Sequence, residues 1–234
     1  MPARIPLVLV PGLLCDAALW EYPSRWLGDV AEISIADTLQ DDSLASMARR
    51  ILAAAPDRFA LAGLSMGGYV CMEIMRQASD RVTRLALLDT GSRADTEEQT
   101  KRRRGLIQLA EIGKFKGVTP RLLPLLVHPD RQTDEPLTSA IIEMSARVGQ
   151  EAFFRQQRAI MGRPDSRGDF ATYDLPVLIL CGREDVLTPI GLHEEMAALI
   201  GGARLCLVEE CGHLSPLERP HAVTALMRDW LLRA

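Results

Sequence analysis

The sequence contains no C-x-x-C pair, no H-E-x-x-H, no P-loop and no G-x-G-x-x-G after its first apolar run. The usual signatures of structural zinc, of zinc-dependent hydrolysis and of nucleotide binding are therefore missing, and no metal or cofactor is expected. Five cysteines are present, Cys15, Cys71, Cys181, Cys206 and Cys211. Their odd number, wide spacing and placement in apolar runs predict buried free thiols rather than a disulfide framework. There is no internal repeat or low-complexity stretch. The N-terminus, Met1 to Pro6, lacks the longer apolar segment and small-residue cleavage site of a signal peptide, which predicts a cytoplasmic protein. The only dense basic run, Lys101, Arg102, Arg103 and Arg104, is flanked by Glu97, Glu98 and Glu111 and reads as a solvated helix face. With a net charge of -4, nothing points to nucleic acid. Apolar residues make up 47% and charged residues 25% of 234 residues, enough for one folded domain with a sizeable core, and ordinary for a chain that does not enter a membrane.

What is present begins with Gly63-Leu64-Ser65-Met66-Gly67-Gly68, where an apolar run stops at a glycine-flanked serine and a helical pattern follows. A tight strand-to-helix turn would hold Ser65 in a strained conformation, with Gly63 and Gly67 leaving room and Gly68 letting the helix approach the sheet. Ser65 is then a candidate nucleophile. The N–H of Met66, at the helix N-terminus, is a candidate donor to an oxyanion. The competing structural reading is that Ser65 merely caps the helix.

Along the chain, residues 7–10 form an apolar run ended by Pro11-Gly12, the pattern of a strand buried on both faces. Strands are further predicted at residues 30–35, 59–62, 85–88, 177–181 and 204–208. Helices are predicted at residues 19–27, 43–53 (capped by Ser43 or Asp42), 66–78, 189–200 and 220–232. Alternation at this spacing implies parallel crossovers and an open, mostly parallel sheet covered on both faces. Ligands bind such sheets outside the carboxyl ends of the strands, which selects Leu13, Ser65, Asp89, Asp185 and the segment after Val208. The alternation lapses over residues 91–174, far longer than an ordinary connection. Helical patterns at 96–112, 121–127, 136–148 and 151–161, separated by Gly117, Pro120, Pro129-Asp130 and Gly149, predict a helical cap there, with residues 1–90 and 175–234 forming the core. Leu106, Leu109, Leu122, Leu126, Phe153, Phe154 and Met161 either line a pocket or join cap to core.

A serine hydroxyl needs a base, and four histidines are available. His213 lies in a glycine-bearing loop just past the last strand, at the same sheet edge as Ser65. His128 precedes Pro129 in the cap, and His193 and His221 fall in helices with exposed-looking neighbours. His213 is thus the predicted base. Asp185, in the loop after the preceding strand, is the predicted orienting acid, with Glu184 adjacent and Asp89, one strand over, as the rival. The N–H of Leu13 is the predicted second oxyanion donor. Cys15 beside it has no visible base.

Pro11-Gly12-Leu13, the Ser65 elbow, Gly182 to Asp185 and Gly212-His213 together resemble the α/β-hydrolase superfamily over essentially the whole chain. Pro11 stands where those proteins usually carry histidine, and the usual N-terminal strand pair is absent. The resemblance implies a shortened sheet of about six strands, with residues 91–174 as the variable cap. It implies a cofactor-free serine hydrolase acting on a small ester, thioester or lactone with an apolar acyl part. The same triad could instead break a carbon–carbon bond or run an elimination, as in a menaquinone-pathway synthase of similar sequence. That synthase has a basic residue where Tyr69 stands here. A hydrolase-fold ligand receptor is the alternative outside enzymes. Arg155, Arg158, Arg163 and Arg167 could bind an acidic substrate, but a solvated face is the simpler reading.

Overall fold

Strands apolar on both faces need cover on both sides, and the architecture follows from that. The computed structural model describes residues 3–233. Its strands are β1 (Ile5–Val10), β2 (Ala31–Ile35), β3 (Phe59–Leu64), β4 (Val82–Leu88), β5 (Val177–Gly182) and β6 (Arg204–Val208). They form one sheet in the order β2-β1-β3-β4-β5-β6, with every pairing parallel. β3 and β5 are buried at every residue, whereas β2 and β6, at the two edges, are partly exposed. The third strand runs two residues past its predicted end. Gly63 continues the ladder between Val10 and Leu87 instead of ending it.

Helices cover both faces. Leu7 and Leu9 of β1 and Ala60, Ala62 and Leu64 of β3 point into one core, shared with Trp20, Leu27, Val223, Met227 and Leu231. These last residues lie on or beside α1 (Glu21–Leu27) and α9 (Pro220–Leu232). Val8, Val10, Phe59 and Leu61 point the other way, against α2 (Leu44–Ala54), α3 (Met66–Ala78) and α7 (Ile190–Leu199). Each fully buried side chain of this size contributes roughly 1.5–3 kcal/mol of transfer free energy. Ser43, not Asp42, caps α2, accepting the Ser46 N–H at 3.2 Å.

Between β4 and β5 the chain leaves the sheet and forms the helical cap expected from the sequence. It contains α4 (Glu97–Leu109), opened by a Thr96/Gln99 capping box and closed by a wider turn over Ala110–Lys114, then α5 (Leu123–Leu126) and α6 (Glu135–Met161). The two helices predicted at 136–148 and 151–161 are the two halves of α6. Gly149, at φ 76° and ψ 177°, breaks it in a conformation essentially reserved for glycine. A short helix, α8 (Ser215–Glu218), follows the His213 loop. No helix among the described residues is long and apolar enough to cross a membrane.

The chain runs from β1 outward to β2, then returns to β3 on the other side of β1. The strand order therefore reverses between β1 and β3, and the crevice at that point lies beside the loop after Val10 and the turn after Leu64.

Candidate active site

β3 stops at Leu64 because Ser65 turns sharply, at φ 55° and ψ -116°, into α3. A non-glycine residue with positive φ costs on the order of 1–3 kcal/mol and persists only where its surroundings over-determine it. Here they do. Ser65 donates its N–H to the Leu88 carbonyl at 3.0 Å, and its own carbonyl accepts from the Gly68 N–H at 2.9 Å and the Thr90 hydroxyl at 2.8 Å. The flanking glycines are demanded by contact. A Cβ on Gly67 would collide with the Val10 carbonyl, and one on Gly68 would sit 2.5 Å from Thr90 Oγ1. Ser65 makes no side-chain cap bond to α3, so its hydroxyl is free for other partners.

Its partner is His213. Nε2 of the imidazole lies 2.9 Å from Ser65 Oγ, and Nδ1 lies 2.8 Å from Asp185 Oδ2. The Asp185 carboxylate is fully tethered, accepting from the Leu187 N–H at 2.8 Å, the Thr188 N–H at 2.9 Å and the Thr188 hydroxyl at 2.5 Å. Burial alone would raise the Asp185 carboxyl, but the adjacent imidazole and these hydrogen bonds outweigh it and hold the group below its usual range. Burial likewise opposes charging His213, yet the Asp185 carboxylate beside it raises the imidazole above its ordinary value. Because Nδ1 donates to the carboxylate, Nε2 of the neutral ring is left as an acceptor facing the serine hydroxyl.

Asp89, the rival acid, makes no hydrogen bond to the imidazole. It is completely buried, accepts the Gly182 N–H at 2.8 Å and bonds the Ser215 hydroxyl. Burial first, and the nearby Asp185 charge second, push its carboxyl up to about 8. It ties the end of β4 to β5 and α8. Asp89, Cys181 and Asp185 have potential ligand atoms within 4.8 Å of one another. Both carboxylates are already committed to protein donors, and burial pushes the Cys181 thiol well above its usual range, so the donor set does not suit a cation. All five cysteines are buried and free. Burial raises the Cys15 thiol to about 12, which leaves no thiolate for attack.

The N–H groups of Met66, at the first position of α3, and of Leu13, in the loop after β1, donate to no hydrogen bond among the described residues. Both belong to the loops flanking the β1/β3 crevice.

Five features of the site carry no clear sequence signal. His193, expected to be exposed, is completely buried. It accepts the Thr90 N–H at Nε2 (3.0 Å), and burial lowers its pKa to about 4. Only its helical spacing to the buried Met196 and Ile200 hints at this. Through Thr90 it props the carbonyl of Ser65. Glu218 is buried as well, bridging the His213 loop to the cap by accepting the Gly212 N–H at 2.8 Å and the His128 N–H at 2.7 Å. The Leu126 carbonyl accepts the N–H of His213 itself at 3.0 Å. Arg163, expected on a solvated face, is buried, pairs with Asp95 and stacks over Tyr69 at 4.5 Å from the ring centre. Gln156 of α6 reaches the loop after β1, accepting the Leu14 N–H at 3.0 Å.

A parallel sheet with a strained serine, an imidazole and a carboxylate in hydrogen-bonded line at its carboxyl edge is the arrangement of a serine-type hydrolase. The chain belongs to the alpha/beta hydrolase family, whose profile matches residues 7–226. Among curated proteins it is similar to a pimeloyl-[acyl-carrier protein] methyl ester esterase of Nitrosomonas europaea, 29% identical over 187 residues, which are 76% of this chain and 73% of that protein. Among solved structures it is similar to a thermophilic esterase from Thermogutta terrifontis, with TM-score 0.89 and 25% identity over 98% of this chain and 90% of that one. The enol-lactonase from Burkholderia xenovorans shares the fold, with TM-score 0.87 and 22% identity over 98% of this chain and 92% of that one. The protein is an enzyme of the α/β-hydrolase fold.

Proposed function

We propose that the protein hydrolyses a small ester, thioester or lactone through an acyl-enzyme on Ser65, with His213 as base and acid, Asp185 as the orienting carboxylate, and the Leu13 and Met66 N–H groups as the oxyanion hole. The observation that carries this reading is the continuous line from Ser65 Oγ to His213 Nε2 at 2.9 Å and from His213 Nδ1 to Asp185 Oδ2 at 2.8 Å. Ser65 Oγ adds to the carbonyl carbon as its proton passes to His213 Nε2. The carbonyl oxygen takes the negative charge and sits between the two backbone donors, at the positive end of α3. Collapse expels the alcohol, thiol or ring oxygen, which takes the proton from His213. Water, deprotonated by the same nitrogen, then releases the acid. Asp185 keeps its charge throughout and stabilises the imidazolium.

The esterase relatives support ester chemistry over carbon–carbon cleavage. The half-buried Leu13 and Leu126, packed against the apolar core beside the site, support an acyl group that is apolar near the reacting carbon. In this reading residues 1–90 and 175–234 supply the chemistry, and residues 91–174 select the substrate.

Steady-state hydrolysis of a p-nitrophenyl ester chain-length series tests it. Turnover with at least one ester is expected, and Ser65→Ala should lower it by about 10⁴–10⁶. An unimpaired Ser65→Ala enzyme, with circular dichroism unchanged, would remove the assignment.

A further inference from the structure

Among the buried polar side chains, one on the cap reaches the anion-binding turn without touching the reacting groups. The loop after β1 closes as a four-residue turn, the Cys15 N–H donating to the Gly12 carbonyl at 3.1 Å. Its third residue, Leu14, has φ 59°, a place that a glycine normally takes in such a turn. A leucine there is strained, and the strain must be balanced by its neighbours. The balancing group is Gln156. Its Oε1 accepts the Leu14 N–H at 3.0 Å, and its Nε2 donates to the Thr38 carbonyl at 3.3 Å and lies 3.4 Å from Thr38 Oγ1. The amide cannot be turned round, because the Thr38 carbonyl only accepts and the Leu14 N–H only donates. Gln156 and Thr38 are both almost wholly buried, so no water replaces these bonds. A second tie runs from the same helix, Arg147 Nε donating to Asp16 Oδ2 at 2.8 Å.

We propose that Gln156 is a positioning residue for the oxyanion hole: by holding Leu14 in the left-handed conformation, it fixes the turn that aims the Leu13 N–H at the oxyanion. This rests on the reading of Leu13 as an anion donor. Without the Gln156 acceptor, the Leu13–Leu14 peptide is free to rotate toward the negative φ that leucine prefers, and the donor before it shifts. Because α6 belongs to the cap, the seat of the cap on the sheet and the shape of the hole are linked.

The test is kinetic. Gln156→Leu should lower kcat on a p-nitrophenyl ester by about 10- to 100-fold with KM nearly unchanged, as a donor displaced by about an ångström would. Its affinity for an aryl trifluoromethyl ketone, whose carbonyl carbon takes Ser65 Oγ and whose oxygen becomes the anion, should fall by a similar factor. Gln156→Glu, when protonated, keeps a carbonyl oxygen for the Leu14 N–H and an O–H for the Thr38 carbonyl, and at the acidic end of the assay range should recover most of both relative to the native enzyme at the same pH. Leu14→Gly supplies a residue at ease with positive φ, so adding Gln156→Leu to it should cost much less than in the native chain. Equal losses in the two backgrounds, or a Gln156→Leu enzyme with native kcat and native ketone affinity, would overturn the proposal. If Gln156→Leu does not fold, Gln156→Glu losing as much activity as Ser65→Ala would overturn it equally. The comparison of kcat losses in the native and Leu14→Gly backgrounds does not depend on the nucleophile assignment, which fails separately if Ser65→Ala remains active.

Discussion

At the scale of single residues the site is a contest between burial and charge, and the outcome differs for each carboxylate. Asp185 is tethered by three protein donors and faced by an imidazole, so its charge is retained underground. Asp89, a few ångströms away, accepts from one amide and one hydroxyl and faces a like charge, so its proton is retained instead. The consequence is a pH dependence of stability with a defined sign. The unfolded chain releases the Asp89 proton near the ordinary value of 3.8, whereas the folded protein holds it up to about 8. The stability contributed by this proton is therefore full below that ordinary value and lost as pH rises through about 8. Asp89→Asn is neutral at every pH, its Oδ1 can accept the Gly182 N–H and its NH2 can donate to the Ser215 oxygen, so its melting temperature relative to the native protein should climb between pH 5 and 8. A flat difference would contradict the buried, protonated Asp89.

His213 gives the complementary expectation for rate. Only the neutral ring accepts the serine proton, and Asp185 raises the imidazole, so kcat/KM should rise with pH through an apparent pKa above about 6.5. Asp185→Asn should move that limb toward lower pH and reduce kcat by about 10⁴. A pH profile unchanged by the substitution would show that the carboxylate does not act on this histidine.

At the scale of elements, what could be read in the sequence depended on the range of the forces involved. Ser65, His213 and Asp185 stand in short glycine-bearing loops after apolar runs, and a parallel sheet gathers such loops at one edge whatever their separation along the chain. Their placement was therefore legible. The cap was legible only as helices, because no period announces which apolar face meets the core. His193 was misread because burial of a histidine is decided by what packs over it, here Thr90 and the end of β4. Arg163 was misread for the same reason, since Asp95 and Tyr69, which receive it, lie 68 and 94 residues away along the chain. Gly149 was legible as a separator, although the helix resumes beyond it. The nature of that break can be checked. A Cβ at Gly149 would meet nothing within 4 Å, so any loss on Gly149→Ala comes from the backbone alone. With φ at 76° and ψ at 177°, it should cost about 1–3 kcal/mol in chemical denaturation. A neutral substitution would mean that the two halves of α6 rearrange freely.

At the scale of the whole molecule, the sheet and the cap divide the work. The sheet brings Ser65, His213 and Asp185 into one hydrogen-bonded line at its carboxyl edge, and in the proposed reading these are the attacking group, its base and the orienting acid. The cap is joined to this edge by polar contacts as well as apolar packing. Leu126 receives the N–H of His213, Glu218 joins Gly212 to His128, and Gln156 holds Leu14. A cap displaced as a body would therefore disturb the His213 loop and the turn after β1 together. This coupling was invisible in the sequence, where the residues concerned share no motif and lie up to 142 positions apart.

The central claim is that Ser65 is the nucleophile, and labelling with a fluorophosphonate tests it most directly. After digestion, mass spectrometry should find one phosphonyl adduct, on the peptide containing Ser65. The adduct should be absent in Ser65→Ala and form far more slowly in His213→Ala. An adduct on another residue, or continued ester turnover by enzyme whose Ser65 is fully modified, would contradict the account.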